Sequence, residues 1–347
     1  MSEMRLPNSK HLPVNHLAAC FNNTTATYKF YWLISILQEI ETGNHLIPKR
    51  NLFARMISNS WYTVNYFNVS FGKLDLIQNT VKKIKDIENI PIDEKQQKVF
   101  SHLTASKNYD TGKLLWHFNK NVPHRFLSPW FVKKSENYVF AASKSFDNQC
   151  LYALHDDIIK INPEWINYLT ANSKILKDFC YWNLSLFLQV RNSSVPDIPN
   201  KLIKPPSRGN LENQKKFFWD IALQEMGFIK CIYTGKELNV GSYAMEHFIP
   251  HSFVSHDLIW NLIPADPSFN SSKKNRLPPL ETYFTPFFSL QKTAVKIVKK
   301  ESPKSKFLLD YLTVLPDIEN SFTETRFKEV FQPLVTIASN NGFEFLE

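Results

Sequence analysis

The sequence predicts an α+β chain, mostly helical and built as two domains, and three observations carry that prediction. Apolar residues recur at three- and four-residue spacing up to about Val190, prolines and small polar residues concentrate between Val195 and Gly209, and two strand-like segments followed by a helix start lie beyond them. At 347 residues the chain is long enough for two domains, and 43% apolar residues with 28 Phe, 13 Tyr and 8 Trp suffice for a sizeable core.

Taken in order, Asn22 to Thr25 offers caps to a helix over Ala26 to Ile40, with Phe30, Leu33, Ile34 and Leu37 on one face and Gly43 beyond its end. Pro48 opens a second helix carrying Leu52, Phe53, Met56 and Ile57. A third spans Lys73 to Ile87, where Leu74, Ile77, Val81 and Ile84 face the core and Lys82, Lys83 and Lys85 face water. Tyr138 to Ala142 and Leu151 to Leu154 read as strands that a hairpin would pair. Asn162-Pro163 caps a further helix, and Ser173 to Val190, the most apolar helix, belongs at the centre of its domain. Residues 196–210 are proline-rich and basic through Lys201, Lys204 and Arg208, and they separate domains at 1–195 and 211–347; a linker and a long ordered connector both fit. Leu211 to Met226 reads as a helix leading into the second domain. Ser321-Phe-Thr-Glu324 forms a capping box for a last helix, kinked near Pro333 and stopped by Asn341-Gly342.

Chemistry concentrates between Cys231 and Arg276. Tyr243 to His247 reads as a short strand delivering Glu246 and His247 to its end, and Ile249-Pro250 opens a loop too irregular for helix. Asn261 to Pro264 reads as a second short strand. Asp266-Pro267 starts a helix, because Asp caps the free amides of a first turn and Pro fits the first helical position, so Asn270, Lys273 and Lys274 share one face. A carboxylate and an amide oxygen meeting at such a corner can hold a hard divalent cation that keeps most of its waters. His251 and His256 either touch phosphate or are loop residues.

The acid-His pair, Asn261 fourteen residues later, Asn270 nine further on, and the Lys273-Lys274 cluster, together with Cys-x-x-Thr-Gly upstream and His-x-Ile-Pro-x-Ser, resemble the HNH, or ββα-metal, endonucleases. The resemblance covers about residues 210–290. It implies that His247 is the general base, that Glu246 and Asn270 are metal ligands for Mg²⁺ or Mn²⁺, that Asn261 braces the loop, and that Lys273 lies along DNA phosphates. Lys274 and His251 are the further candidate phosphate contacts. Hydrolysing a phosphodiester needs a base for the water, a cation for the growing charge and positive groups for the strand. Glu246 stands where many members carry Asp, and it too ligates oxygen-loving metals. Thr234 replaces the second cysteine of a zinc-clamping pair and no downstream pair follows, so no structural zinc is expected.

The net charge of +9 favours a polyanionic partner. Cys231 to Arg276 is itself balanced, with four basic and four acidic residues, and the surplus lies in flanks such as Lys292, Lys296, Lys299, Lys300, Lys304 and Lys306, set against Glu301 alone. These lysines are either a DNA contact or a solvated face. The apolar run near Tyr28 to Leu37 contains Lys29 and is too short for a bilayer, and four scattered cysteines without a secretory leader read as reduced thiols of a cytoplasmic protein. Eight glycines leave nucleotide-cradling loops scarce. The resemblance therefore leads to a metal-dependent DNA endonuclease with a regulatory or partner-binding helical domain, of a kind found in restriction and anti-phage defence, and with a homodimer or activating protein as candidate partner. The alternative is an inactive HNH-fold subunit that binds nucleic acid or assembles with other proteins.

Overall fold

A helix apolar on every side has to be surrounded, and Tyr28–Glu41 is that helix: ten of its fourteen residues are buried, among them Trp32, Leu33, Ile36 and Leu37. The computed structural model describes residues 6–203 and 210–347 and divides into two units, Met1–Ser193 with Ile198–Pro205, and Ser194–Asp197 with Pro206–Glu347. In chain order the first unit runs α1 (Val14–Ala19), α2 (Tyr28–Glu41), β1 (Leu46–Pro48), α3 (Lys49–Asn65), α4 (Leu76–Glu88), α5 (Gln96–Ala105), α6 (Tyr109–Trp116), α7 (Pro123–Phe126), α8 (Glu136–Ala142), β2 (Tyr152–Leu154), β3 (Ile158–Ile161), α9 (Pro163–Arg191) and α10 (Ile198–Ile203). Helices α3 and α9 pack on α2, and the antiparallel sheet β1-β3-β2 lies beside them. Polar atoms inside this core are paired: Trp32 Nε1 donates to Tyr152 Oη at 2.9 Å, and that hydroxyl donates to the Pro123 carbonyl at 2.6 Å.

Helix α3 opens at Pro48, which ends strand β1 and forms the N-cap. Three readings of this unit change. Leu74 is 80% exposed, since Asp75 caps α4 and leaves Leu74 outside the helix. Tyr138 to Ala142 belongs to helix α8, where Ser135 Oγ accepts from Tyr138 N, so a local cap outweighs a β-rich composition. Ser173 to Val190 continues α9 without a break and lies at an edge of the core, with Ile175, Trp182, Leu186 and Val190 at least half exposed. Within the proline-rich segment, α10 packs on α9 and α3, its Lys201 is buried, and Thr63 Oγ1 donates to the Lys201 carbonyl at 2.9 Å. Lys204, Pro205, Pro206, Arg208 and Gly209 lie outside the described residues.

The second unit opens with α11 (Glu212–Gln214), which passes through a π turn at Lys215–Trp219 into α12 (Asp220–Met226). Gly227, at φ +77°, ends it in a conformation that would strain an L side chain. Strands β4 (Ile229–Lys230) and β5 (Glu237–Leu238) form one antiparallel pair, and β6 (Ala244–His247) and β7 (Leu262–Ala265) another. The connecting loop contains a short helix, α13 (His251–Val254), where no helix was expected; α14 (Pro267–Lys273), α15 (Leu280–Glu301) and α16 (Glu324–Asn340) follow. Helix α16 starts later than the capping box implies: Thr323 is its cap, while the Ser321 hydroxyl donates to Asp317 Oδ2 at 2.8 Å. Phe284, Phe287, Phe327 and Phe331 form the core between α15 and α16, each ring worth about 150–250 Å² of buried surface. Among the described residues no helix is long and apolar enough to cross a membrane.

Candidate active site

Strand β6 pairs with β7 so that Glu246 stands opposite Ile263 and His247 opposite Leu262. Both residues are 3% exposed. The aromatic core clamps both strands of this pair: Phe248, next to His247, stacks on Phe287 at 4.1 Å, and Trp260, just before Asn261 and β7, meets Phe331 edge-on at 5.4 Å. Asn261 spans the loop with two hydrogen bonds to one residue, accepting from Ile249 N at 2.9 Å and donating to Ile249 O at 2.8 Å. From the other side Gln291 Nε2 donates to Leu262 O at 2.7 Å, Asp310 Oδ2 accepts from Ile259 N at 2.9 Å, and Trp260 Nε1 donates to Thr313 Oγ1 at 3.1 Å. Helices far along the chain thus hold the site rigid. Gln291, Asp310 and Thr313 carry no signal in the sequence, where they look like ordinary surface polar residues.

His247 Nε2 lies 2.9 Å from Asp257 Oδ1. A carboxylate can only accept, so a neutral His247 carries its proton on Nε2 and presents a lone pair on Nδ1, which makes no hydrogen bond among the described residues. The same bond holds the Asp257 carboxyl below its ordinary range, helped by the charges of His247, His251 and His256 and opposed by partial burial. The His251 ring packs edge-on against His247 at 5.2 Å and its Nε2 is 3.8 Å from Asp257. The loop, rather than a helix, brings the two imidazoles together. Nothing local in the sequence ties Asp257 to His247, which lies ten residues before it.

Asp266 caps α14 through Ser268 N and is paired with Lys236 at 2.6 Å, which draws its carboxyl down to about 2. Cys231 Sγ accepts from Asp266 N at 3.4 Å, so the β4–β5 hairpin buttresses the start of this helix. On α14, Asn270 sits one turn before Lys273. The Lys273 ammonium does not face outward: it donates to Glu246 Oε1 at 2.7 Å and to His247 O at 2.8 Å, with no side-chain exposure. This corrects its expected place along phosphates, because a buried ammonium is stable only beside acceptors that offset its lost hydration. Lys274 leaves the shared face as well. The helix ends at Lys273, and Lys274 takes φ +52° and is exposed.

Does this corner suit a divalent ion? Among the described residues no group of three or more His, Cys, Asp or Glu is arranged to hold a metal. What the corner offers is a carboxylate and an amide oxygen. Among the described residues, Asn270 Oδ1 is buried without a hydrogen-bond partner and Glu246 is engaged through Oε1 alone. An orphaned buried acceptor on the helix face that reaches Glu246 fits a hard cation, which would satisfy it together with waters or phosphate oxygens. The Tyr233 hydroxyl is also buried nearby; its ring stacks on Phe269 at 4.4 Å, and burial, then the charge of Glu246, pushes its pKa well up.

Residues 231–279 match the HNH endonuclease family model. No curated protein and no solved structure matches the chain.

Proposed function

We propose that the second unit, with its HNH endonuclease segment, is a metal-dependent nuclease that hydrolyses DNA phosphodiester bonds. The observation that carries this reading is the oriented imidazole: Asp257 occupies His247 Nε2 and leaves Nδ1 as the base. In this reading Nδ1 takes a proton from the attacking water, and Asp257 steadies the imidazolium that results. Glu246 and Asn270 hold Mg²⁺ or Mn²⁺, which when bound neutralises charge growing on the phosphate and leaving oxygen. Asn261 keeps the loop in register, Lys273 balances Glu246, and His251 and Lys274 contact phosphate, with the exposed Lys292 and Lys296 of α15 as further cations for the strand.

The first unit regulates or targets the nuclease, since an unrestrained endonuclease damages the DNA of its own cytoplasm, and a role in restriction or anti-phage defence follows from that need. One such site cuts one strand; a double-strand break calls for a homodimer or a partner. One observation favours the alternative of an inactive binding subunit: the Lys273 ammonium already sits where it neutralises Glu246. Plasmid cleavage with Mg²⁺ or Mn²⁺, with and without EDTA, separates the two. Cutting is expected to need the ion, and His247→Ala is expected to lower single-turnover cleavage by about 10²–10⁴-fold while DNA binding persists. Cleavage that ignores EDTA, or an H247A variant as fast as the parent, refutes the reading; no cleavage with either ion decides for the alternative.

A further inference from the structure

A concave site lies wholly within the first unit. It is a cleft of about 730 Å³ between α3, the α5–α6 connection and α6, lined by Arg50, Lys107, Lys113 and Lys120 with no carboxylate among its walls. The volume is in the range of small-ligand sites, roughly 300–1,000 Å³. None of the three lysines forms an ion pair among the described residues. Arg50 is fixed in the wall by neutral groups: its Nη2 donates to the Ser106 and Leu103 carbonyls, at 2.6 and 3.4 Å, where α5 ends. Its charge is therefore positioned but not cancelled. Behind Asn119, another lining residue, Lys49 donates to the amide oxygen at 2.9 Å and leaves the Asn119 NH₂ group as a further donor.

Two aromatic rings complete the wall. Tyr109 and Trp116 are seven residues apart on α6, so they share one stripe about 10 Å apart along the axis, with Lys113 between them. Tyr109 is 80% exposed and Trp116 39%, the latter backed edge-on by Phe53 at 5.8 Å. A solvated charged face needs no concavity and no bare rings. Cations for phosphate alternating with π-faces for bases are the pattern by which unpaired nucleotides are held. A duplex keeps its bases stacked inside and cannot offer them.

We infer that this cleft binds unpaired nucleotides, with phosphate on Arg50, Lys107, Lys113 and Lys120 and base on Tyr109 or Trp116, the source being either a single nucleic-acid strand or a free nucleotide. This inference does not depend on the nuclease reading. The test uses the full-length chain in EDTA, so that metal-dependent cutting is silent, with a fluorescein-labelled dT₁₂ read by anisotropy over a salt series. The doubly substituted Lys107→Glu, Lys113→Glu chain is expected to bind at least tenfold more weakly, with the slope of log K against log salt reduced by roughly 0.7 per lost phosphate contact. Tyr109→Ala is expected to lose about 5- to 100-fold with the slope unchanged, as loss of stacking requires. The doubly substituted Lys160→Glu, Lys174→Glu chain, changed at two exposed lysines that do not line the cleft, is the charge-matched control and should bind like the parent. A dT₁₂ carrying 4-thiothymidine should crosslink to α6, which separates this cleft from DNA held on the other unit. Displacement by ATP identifies a free nucleotide as the source, and displacement by longer strands alone identifies nucleic acid. The inference is overturned by parent-like binding in both variants with no crosslink on α6, or by polyglutamate displacing the label as well as DNA does.

Discussion

Lys49 in the first unit and Lys273 in the second are nearly sealed from solvent, 3% and 1% exposed, yet they are held in opposite ways. Lys49 donates to the Asn119 amide oxygen at 2.9 Å and the Asp156 carbonyl at 3.1 Å, both neutral acceptors. Burial lowers its pKa, and the nearby charges of Asp156, Asp157 and Glu136 counter that only in part. Lys273 donates to a carboxylate, Glu246, and to the His247 carbonyl on the same strand. The difference teaches that the two cations answer to different things. Neutral acceptors tie Lys49 to the shape of the first unit, whereas Lys273 is tied to a charge that the proposed chemistry uses.

Removing Lys273 should have the largest effect. Lys273→Met strands the buried Glu246 carboxylate and should destabilise the second unit by about 3–5 kcal/mol in urea unfolding. Adding Glu246→Gln to it should recover most of that loss, since a neutral pair needs no counter-charge. If Glu246 also holds a metal, Mg²⁺ should partly rescue the single variant and not the double one. A Lys273→Met chain as stable as the parent would mean that the ion pair adds nothing.

Lys49→Met should cost less, about 1–3 kcal/mol, because it leaves two neutral acceptors unsatisfied and no stranded charge. It should also change the pH response. A lysine whose folded pKa lies below 10.5 is disfavoured as a cation in the folded state, so the unfolded chain holds more protons and stability rises with pH between the lowered value and 10.5. Alkaline denaturation profiles of parent and variant should differ by that rise, and parallel profiles would contradict it.

The smallest effect belongs to Asp266. Its carboxyl is held at about 2, chiefly by Lys236, so its contribution is complete above the ordinary value of 3.8 and is lost as pH falls through 2. Asp266→Asn keeps a residue able to cap α14 but removes the ion pair, so the acid transition of the second unit should move slightly and lose steepness in that window. Acid titration followed by circular dichroism reads the change. A steeper transition in the variant would overturn the assignment.

Much of the fold was legible, because its signals are local. Helices α2, α3 and α4 follow from apolar spacing, and α14 starts where Asp266-Pro267 places it, so Glu246 and His247 at a strand end and Asn270 on the next helix could be located from sequence. Errors came where two local signals competed. Tyr138 to Ala142 has strand composition, but Ser135 caps a helix there, and the capping box at Ser321 lost to Thr323 once Asp317 took the serine hydroxyl. The inward turn of Lys273 was not legible at all, since nothing near it in sequence says that a strand ends against its ammonium.

By itself, then, the sequence determined the elements and the order of the chemistry along them, because caps, prolines and apolar periods act within a turn or two of the chain. Only the tertiary structure decided which charge meets which: Lys273 with Glu246, His247 with Asp257, Arg50 with carbonyls alone. The reason is electrostatic. The strength of a charge interaction depends on burial and on the nearest opposing group, and both are set by residues that the fold brings in from elsewhere in the chain.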